Sequence, residues 1–289
     1  MIQLNPKKLI EEQIEQTIDT RNYRPDPELG NLSPNQVYKL IYLPWNAPDY
    51  PIKFNQELKI SDLKHSTFLT NATIFLQTLL ELKDQDTATA KRNLNRKFVK
   101  AIFDKLVIDS DIKEDILRYN KVINEEDVFP LHLIRIVCEE AKLIQCRKKK
   151  FIVTTNGKKL LFQDNIGELF NGLFITYFRK FNIGYIDRFS DLDSIQQTIG
   201  YSLCRLGKIA NEWVTIEELF DKILLPQVKE EVVKVLPSVI EPHWIVWSRI
   251  VRPLKDFGLL ECRYKENRDR EVEAVRKTVL FDRFIRVEW

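Results

Sequence analysis

The chain has 289 residues, more than one small domain usually holds, with the 44% hydrophobic and 30% charged content of an ordinary globular protein. Only eight glycines stand against twelve prolines, which argues against a glycine-rich disordered or all-β design and makes helix the expected default. Lysine and arginine total 45 against 42 acids, a formal charge of +3 that excludes identifying a nucleic-acid binder from net charge alone, so local clustering has to decide.

The four cysteines, Cys138, Cys146, Cys204 and Cys262, form no close metal-ligand pair and are expected as reduced, buried thiols. Met1 is followed by Ile2, Gln3, Leu4, Asn5 and Pro6, without the basic start, apolar run and small-residue cleavage site of a signal peptide. The most apolar stretches, Phe68 to Leu82 and Leu169 to Phe178, fall short of the roughly 20 apolar residues of a membrane span. A cytoplasmic protein with no membrane partner is expected.

In chain order, Asn5-Pro6 starts an amphipathic helix carrying Leu9, Ile10, Ile14 and Ile18 to about Thr20. The segment RNYRPDPELGNL then reads as an extended arm or loop leading to Ser33-Pro34, a second cap-plus-proline start for a helix to about Tyr42. After a proline-rich link, Ser61 caps a short helix and Ser66 or Thr67 a longer one with Phe68, Leu69, Ile74, Phe75, Leu79 and Leu80 on its apolar face. KDQDTATAKRNL suits a small hairpin or extended turn, and Asn95 to Val107 a further helix.

Asn124, with Asp127 three residues on, starts the apolar helix VFPLHLIRIVCEEAKLI, where Pro130 sits early enough to be tolerated. The period then changes: Leu143 to Cys146 and Phe151 to Thr154 read as strands around the turn Arg147 to Lys150, and Asn156-Gly157 leads into the helix KKLLF. An aromatic-rich helix spans Asn165 to Phe181, and another from Asp191 or Asp193 carries Ile195, Ile199, Leu203 and Leu206. Trp213-Val214 suits a short strand, Thr215 with Glu218 a capping box, and Pro226 ends the helix between. A long helix from Glu241 to Phe257 stops at Gly258, and LLECRY and VEAVRKTVL form a hairpin around the charged loop KENRDRE.

Three places share a helix ending in a leucine pair, a hairpin and then a threonine: LLELKDQDTATAKRNL, AKLIQCRKKKFIVTTNGKKLL and FGLLECRYKENRDREVEAVRKTVLF. The last two resemble winged-helix regulators, which implies a small core under a two-stranded wing. The whole chain also resembles an uncharacterised prokaryotic family with an arm RPxPELGxLSPxQ, here RPDPELGNLSPNQ from Arg24, and an ending RPLxxFGLL with TxLFDRF, here RPLKDFGLL from Arg252 and TVLFDRF from Thr278. That family brings no established activity.

The expected fold is mainly α with small β-hairpins (α+β), as tandem winged-helix-like units: 1–60 an N-terminal arm with helices, 61–124 a degenerate first unit, 125–187 a second unit plus the aromatic helix, 188–289 a third. Basic residues concentrate at the hairpins: Lys91, Arg92, Arg96, Lys97 and Lys100, then Arg147, Lys148, Lys149 and Lys150 with Lys158 and Lys159. Such positions suit phosphate contacts, although a solvated face is the plainer alternative. In the second unit His132, Arg135, Glu139 and Lys142 would face a groove, with Glu139 repelling phosphate; in the third, Ser248, Arg249, Arg252 and Lys255 form a better basic stripe beside Trp244 and Trp247. The aromatic set Phe170, Phe174, Tyr177, Phe178 and Phe181 is expected as interdomain core.

No HxxxH, CxxC, phosphate loop or nucleophile elbow occurs, and Asp187, Asp191 and Asp193 are explained as a helix start, so no catalytic residue, metal or cofactor is expected. The reading is a non-catalytic macromolecule-binding protein that contacts duplex DNA without strong sequence preference, or alternatively a protein-interaction scaffold. A small-molecule sensor in the aromatic region is a third class.

Overall fold

The computed structural model describes residues 20–189, 191–266 and 268–289, so the expected helix before Thr20 lies outside the described residues. Helices dominate, joined by small antiparallel sheets. The arm closes on itself: Asp26 and Leu32 form an antiparallel bridge around a short 3-10 turn, so of the two expected forms it takes the loop. Ser33 and Gln36 exchange the hydrogen bonds of a capping box at the start of α1 (Pro34–Tyr42).

Strand β1 (Ile52–Phe54) follows, and then α2 (Ile60–Leu63), whose cap is Lys59, so Ser61 lies inside the helix and not before it. Ser66 caps α3 (Thr67–Glu81) by accepting from Leu69 N–H. Asn95 caps α4 (Arg96–Phe103), which stops four residues short of Val107 because Asn71 takes over Val107's backbone groups, at 2.8 and 2.9 Å. The helix α5 (Ser110–Tyr119) was not expected: its sequence, SDIKEDILRY, buries only Ile116 and carries too short an apolar stripe to announce itself.

Asn124 and Asp127 cap a single 3-10 turn, and α6 (Phe129–Glu140) starts after it with Pro130 in its first turn. Strands β2 (Ile144–Arg147) and β3 (Lys150–Val153) form the expected hairpin, and Thr154 caps α7 (Thr155–Leu160) by accepting from Gly157 N–H. The aromatic helix α8 (Ile166–Arg179) lies at the centre: Phe170, Phe174, Tyr177, Phe178 and Phe181 are all buried. Phe174 meets Trp45 and Phe54 from the N-terminal part and Phe257 and Phe284 from the C-terminal part, at centroid distances of 5.0–6.3 Å.

The chain continues through α9 (Asp193–Gln197), α10 (Ile199–Ile209), β4 (Val214–Thr215) and α11 (Ile216–Ile223), the last entered through the expected Thr215–Glu218 box. Pro226 does more than end that helix, since it also opens α12 (Pro226–Val235). The long helix then splits into α13 (His243–Val246), a π turn (Trp247–Val251) and α14 (Arg252–Asp256). Pro253, with no N–H to donate, accounts for the wider turn before it. Gly258 stops the helix at φ +77°, and any Cβ there would also crowd the His65 main chain at 3.1 Å.

Strands β5 (Leu260–Lys265) and β6 (Arg268–Lys277) pair with β4 in the order β4-β6-β5, so Arg268 to Arg270 belong to a strand instead of a loop. Residues Val279 and Leu280, expected to extend the strand, begin α15 (Val279–Phe284) because Thr278 turns the chain, its hydroxyl donating to Gly258 O at 2.7 Å. Strand β7 (Ile285–Val287) pairs antiparallel to β1, which ties the C-terminal residues to the segment around Ile52. One hydrophobic cluster extends from Leu32 to Ile285. No helix among the described residues is long and apolar enough to cross a membrane.

Candidate nucleic-acid interface

The hairpin turn is a two-residue loop with Lys148 at φ 46° and Lys149 at φ 62°, the left-handed pair that a type I′ turn demands. Lysine is a poor choice for that backbone, where Asn-Gly is favoured, so the residues stand there at a cost in conformational energy. The turn is held from below. The Lys149 carbonyl accepts from Thr87 N–H at 3.1 Å and Ala88 N–H at 2.9 Å, and the Thr87 hydroxyl accepts from Phe151 N–H at 2.8 Å. Lys150 Nζ donates to Asp84 O at 3.0 Å.

These bonds seat the hairpin on residues 84–95, which form their own small turn through the Ala88–Leu94 bridge. Two cationic clusters some fifty residues apart in sequence therefore share one edge. On α4, Arg96, Lys97 and Lys100 face outward while Phe98, Val99, Ile102 and Phe103 are buried. Lys91, Lys97, Lys100, Arg147, Lys148 and Lys149 are exposed and form no ion pair among the described residues. Arg92 pairs with Glu139, and Arg96 donates to Asn124 Oδ1 at 2.9 Å. Asp84 and Asp86 are exposed at the start of the loop and lower the surplus without cancelling it. Lys158 and Lys159 are exposed on α7, directly after the hairpin.

The expected groove-facing stripe on α6 is overturned. His132 and Arg135 are buried, and both bind Glu125 Oε1, through Nδ1 at 2.7 Å and Nε at 2.6 Å. With Glu125 ionised, Nδ1 carries the proton of that bond, and Nε2 shares a hydrogen bond with the Tyr185 hydroxyl at 2.8 Å. Glu125 Oε2 accepts from Leu94 N–H, so this buried carboxylate also pins the end of the basic loop. Burial works to raise Glu125, but the His132 hydrogen bond and the Arg135 charge outweigh it and hold the carboxyl below the ordinary range. No local signal marks Glu125, since an EED run reads as a solvated first turn and its partners lie 7, 10 and 31 residues away.

Arg249 is likewise removed from the basic set. It is fully buried, bound to Asp187 at 2.7 Å through both Nε and Nη2, and donates from Nη1 to Leu192 O at 2.8 Å. Asp187 is thus an internal counter-ion and not a helix-start residue. Arg252 and Lys255 are half-buried and line a cleft with Phe129 and Tyr264, in which none of the lysines of the hairpin edge takes part. Trp244, beside the expected stripe, is 39% exposed.

The four cysteines are free thiols, Cys138 and Cys204 buried and Cys146 and Cys262 half-buried, and burial pushes Cys262 up to about 11. No group of His, Cys, Asp and Glu among the described residues is arranged to hold a metal ion.

Residues 64–166 match the family described as Y4jL N-terminal domain, a span that covers a little over a third of the chain and contains the whole lysine-rich edge. No curated protein and no solved structure matches the chain.

Proposed function

We propose that this chain is a non-catalytic protein that binds duplex DNA without strong sequence preference, through the edge made by the hairpin tip, residues 84–95 and α4. In this reading, residues 125–187 and 188–289 hold winged-helix-like units, each with a helix, a hairpin wing and a following helix. The observation that carries the proposal is the docking of the Lys149 carbonyl on Thr87 and Ala88, which joins the two cationic clusters into one surface. Lysines of that kind contact phosphates, and each contact releases counterions and gives a salt-dependent contribution to affinity. Weak sequence preference follows from the burial of His132 and Arg135, which removes the side chains that would read base edges from α6.

A salt titration on duplexes of unrelated sequence tests this. The expected result is similar affinity for each duplex, with log Kobs falling linearly against log salt. In the variant Arg147→Gln/Lys148→Gln/Lys149→Gln the slope should flatten by about 1 for every phosphate contact removed. Absence of binding at low salt, or an unchanged slope in the variant, removes the proposal.

The same burial of α6 favours a second reading, a protein-interaction scaffold, because a winged-helix unit whose groove helix is internal has given up its usual DNA contact. Under that reading a stoichiometric protein partner survives nuclease treatment during affinity purification. Recovery of the chain alone counts against it.

A further inference from the structure

We infer that the cleft between Phe129, α14 and Tyr264 binds a small organic anion with a flat aromatic body, its anionic group taken by Arg252 and Lys255. The cleft is a cavity of about 1680 Å³, bounded by the start of α3, residues 107–112, the start of α6, α14 and the first residues of β5 and α15. A single small ligand fills only part of such a space, and the charges decide which part.

Three of the cations lining the cleft are already neutralised: Arg276 by Glu261 at 2.7 Å, Lys277 by Asp282 at 2.7 Å and Arg283 by Asp62. Arg252 and Lys255, three residues apart on one helix face, form no contact ion pair among the described residues, although Lys255 bonds the Tyr264 side chain and the Asp256 carboxyl acts on both cations. Nη2 of Arg252 is buried with no hydrogen-bond acceptor among the described residues. A guanidinium N–H shut away from water without a partner is unfavourable, and buried donors of this kind call for an explanation. An oxyanion in the cleft would draw the guanidinium toward it, a shift that opens Nη2 to an acceptor in the fork geometry that arginine offers.

The walls fit the rest of the ligand. The Arg252 guanidinium lies 5.6 Å from the Phe129 ring centroid, and Lys255 Nζ lies 5.6 Å from that of Tyr264. Tyr177 and Trp247 line the same cleft, so both cations stand beside flat apolar surface. The π turn directly before Arg252 adds a feature that concentrates at functional sites. Asp109 and Asp256 also line the cleft and would favour a cation instead, an alternative the test separates.

The test is calorimetry on the full chain with three probes of one shape: naphthalene-2-sulfonate, the neutral naphthalene-2-methanol and the cationic naphthalene-2-methylamine. The sulfonate should bind saturably and about tenfold or more tighter than the alcohol, with the amine weakest. Arg252→Gln and Lys255→Gln should each weaken the sulfonate by about tenfold, and Lys97→Gln on the hairpin edge should leave it unchanged. Lys255 is partly exposed, so its variant keeps the test open if Arg252→Gln fails to fold. Equal affinity for sulfonate and alcohol, tighter binding of the amine, no saturable binding, or an unaltered Lys255→Gln would each overturn the inference. None of these outcomes bears on DNA binding, which uses a different surface.

Discussion

Arg249 and Asp187 face each other in a bidentate pair, Nε to Oδ2 and Nη2 to Oδ1 both at 2.7 Å, with both side chains excluded from water. Removing one member leaves the other charged, buried and unpaired. Asp187→Ala is therefore expected to cost about 3–5 kcal/mol of stability. Urea denaturation measures it, and a loss below 1 kcal/mol would mean that the pair is not closed in solution. DNA affinity of the folded fraction should not change.

The helix starts were the most legible part of the fold. Ser33-Pro34, Ser66, Asn95 and Thr215 each cap a helix where the sequence places them, because a cap is a local bargain between one side chain and one N–H, whereas the cap at Thr154 falls two residues before the expected start at Asn156-Gly157. The hairpin Ile144–Val153 and the stop at Gly258 were readable for the same reason. What escaped was long-range. The pairing of Ile52–Phe54 with Ile285–Val287 joins strands of three residues each, too short to show alternation. Arg249 looked like surface because its stripe is basic, and only Asp187, 62 residues upstream, turns it inward. Within the candidate interface both lysine clusters were visible as clusters, but their union depends on Thr87 and Ala88 finding the Lys149 carbonyl.

The strained turn separates charge from structure. Replacing Lys148 with Asn and Lys149 with Gly supplies the residues that a type I′ turn prefers while leaving the Lys149 backbone carbonyl in place for Thr87 and Ala88. The double variant should be as stable as the parent or more stable by about 1 kcal/mol, and should bind duplex DNA with a salt slope lower by up to about 2. Thermal unfolding and anisotropy read the two effects. A destabilised variant contradicts the turn assignment, and a stable one with undiminished slope contradicts the interface.

Glu125 couples acid stability to the basic loop, since one carboxylate holds His132, Arg135 and the Leu94 N–H. Its pKa is lowered in the folded chain, so its contribution is present above the unfolded value, about 4.3, and is lost as pH falls through the folded one. Glu125→Gln should lower stability by about 2–4 kcal/mol at pH 7, and the gap to the parent should narrow in acid. Hydrogen exchange should report faster opening of residues 84–95 in the variant. A gap that widens below pH 4 would reverse the sign of the argument.

Asp256 behaves in the opposite sense. Burial raises its carboxyl to about 6 from an ordinary 3.8; Lys255 and Arg252 pull it down, and Asp109 adds a smaller upward push. A raised folded pKa means that the protonated form suits the fold. The stability it confers is complete below the unfolded value and is lost as pH rises through about 6. Asp256→Asn keeps the neutral shape at every pH, so the variant should match the parent near pH 4 and exceed it at pH 8 by on the order of 1–3 kcal/mol. Serine and threonine hydroxyls at Ser66 and Thr67 bind the Asp256 main-chain carbonyl, at 3.4 and 3.2 Å, and are untouched by the substitution. Denaturant titrations at both pH values check this, and a parent more stable than the variant at pH 8 would show that Lys255 and Arg252 outweigh desolvation at this carboxyl.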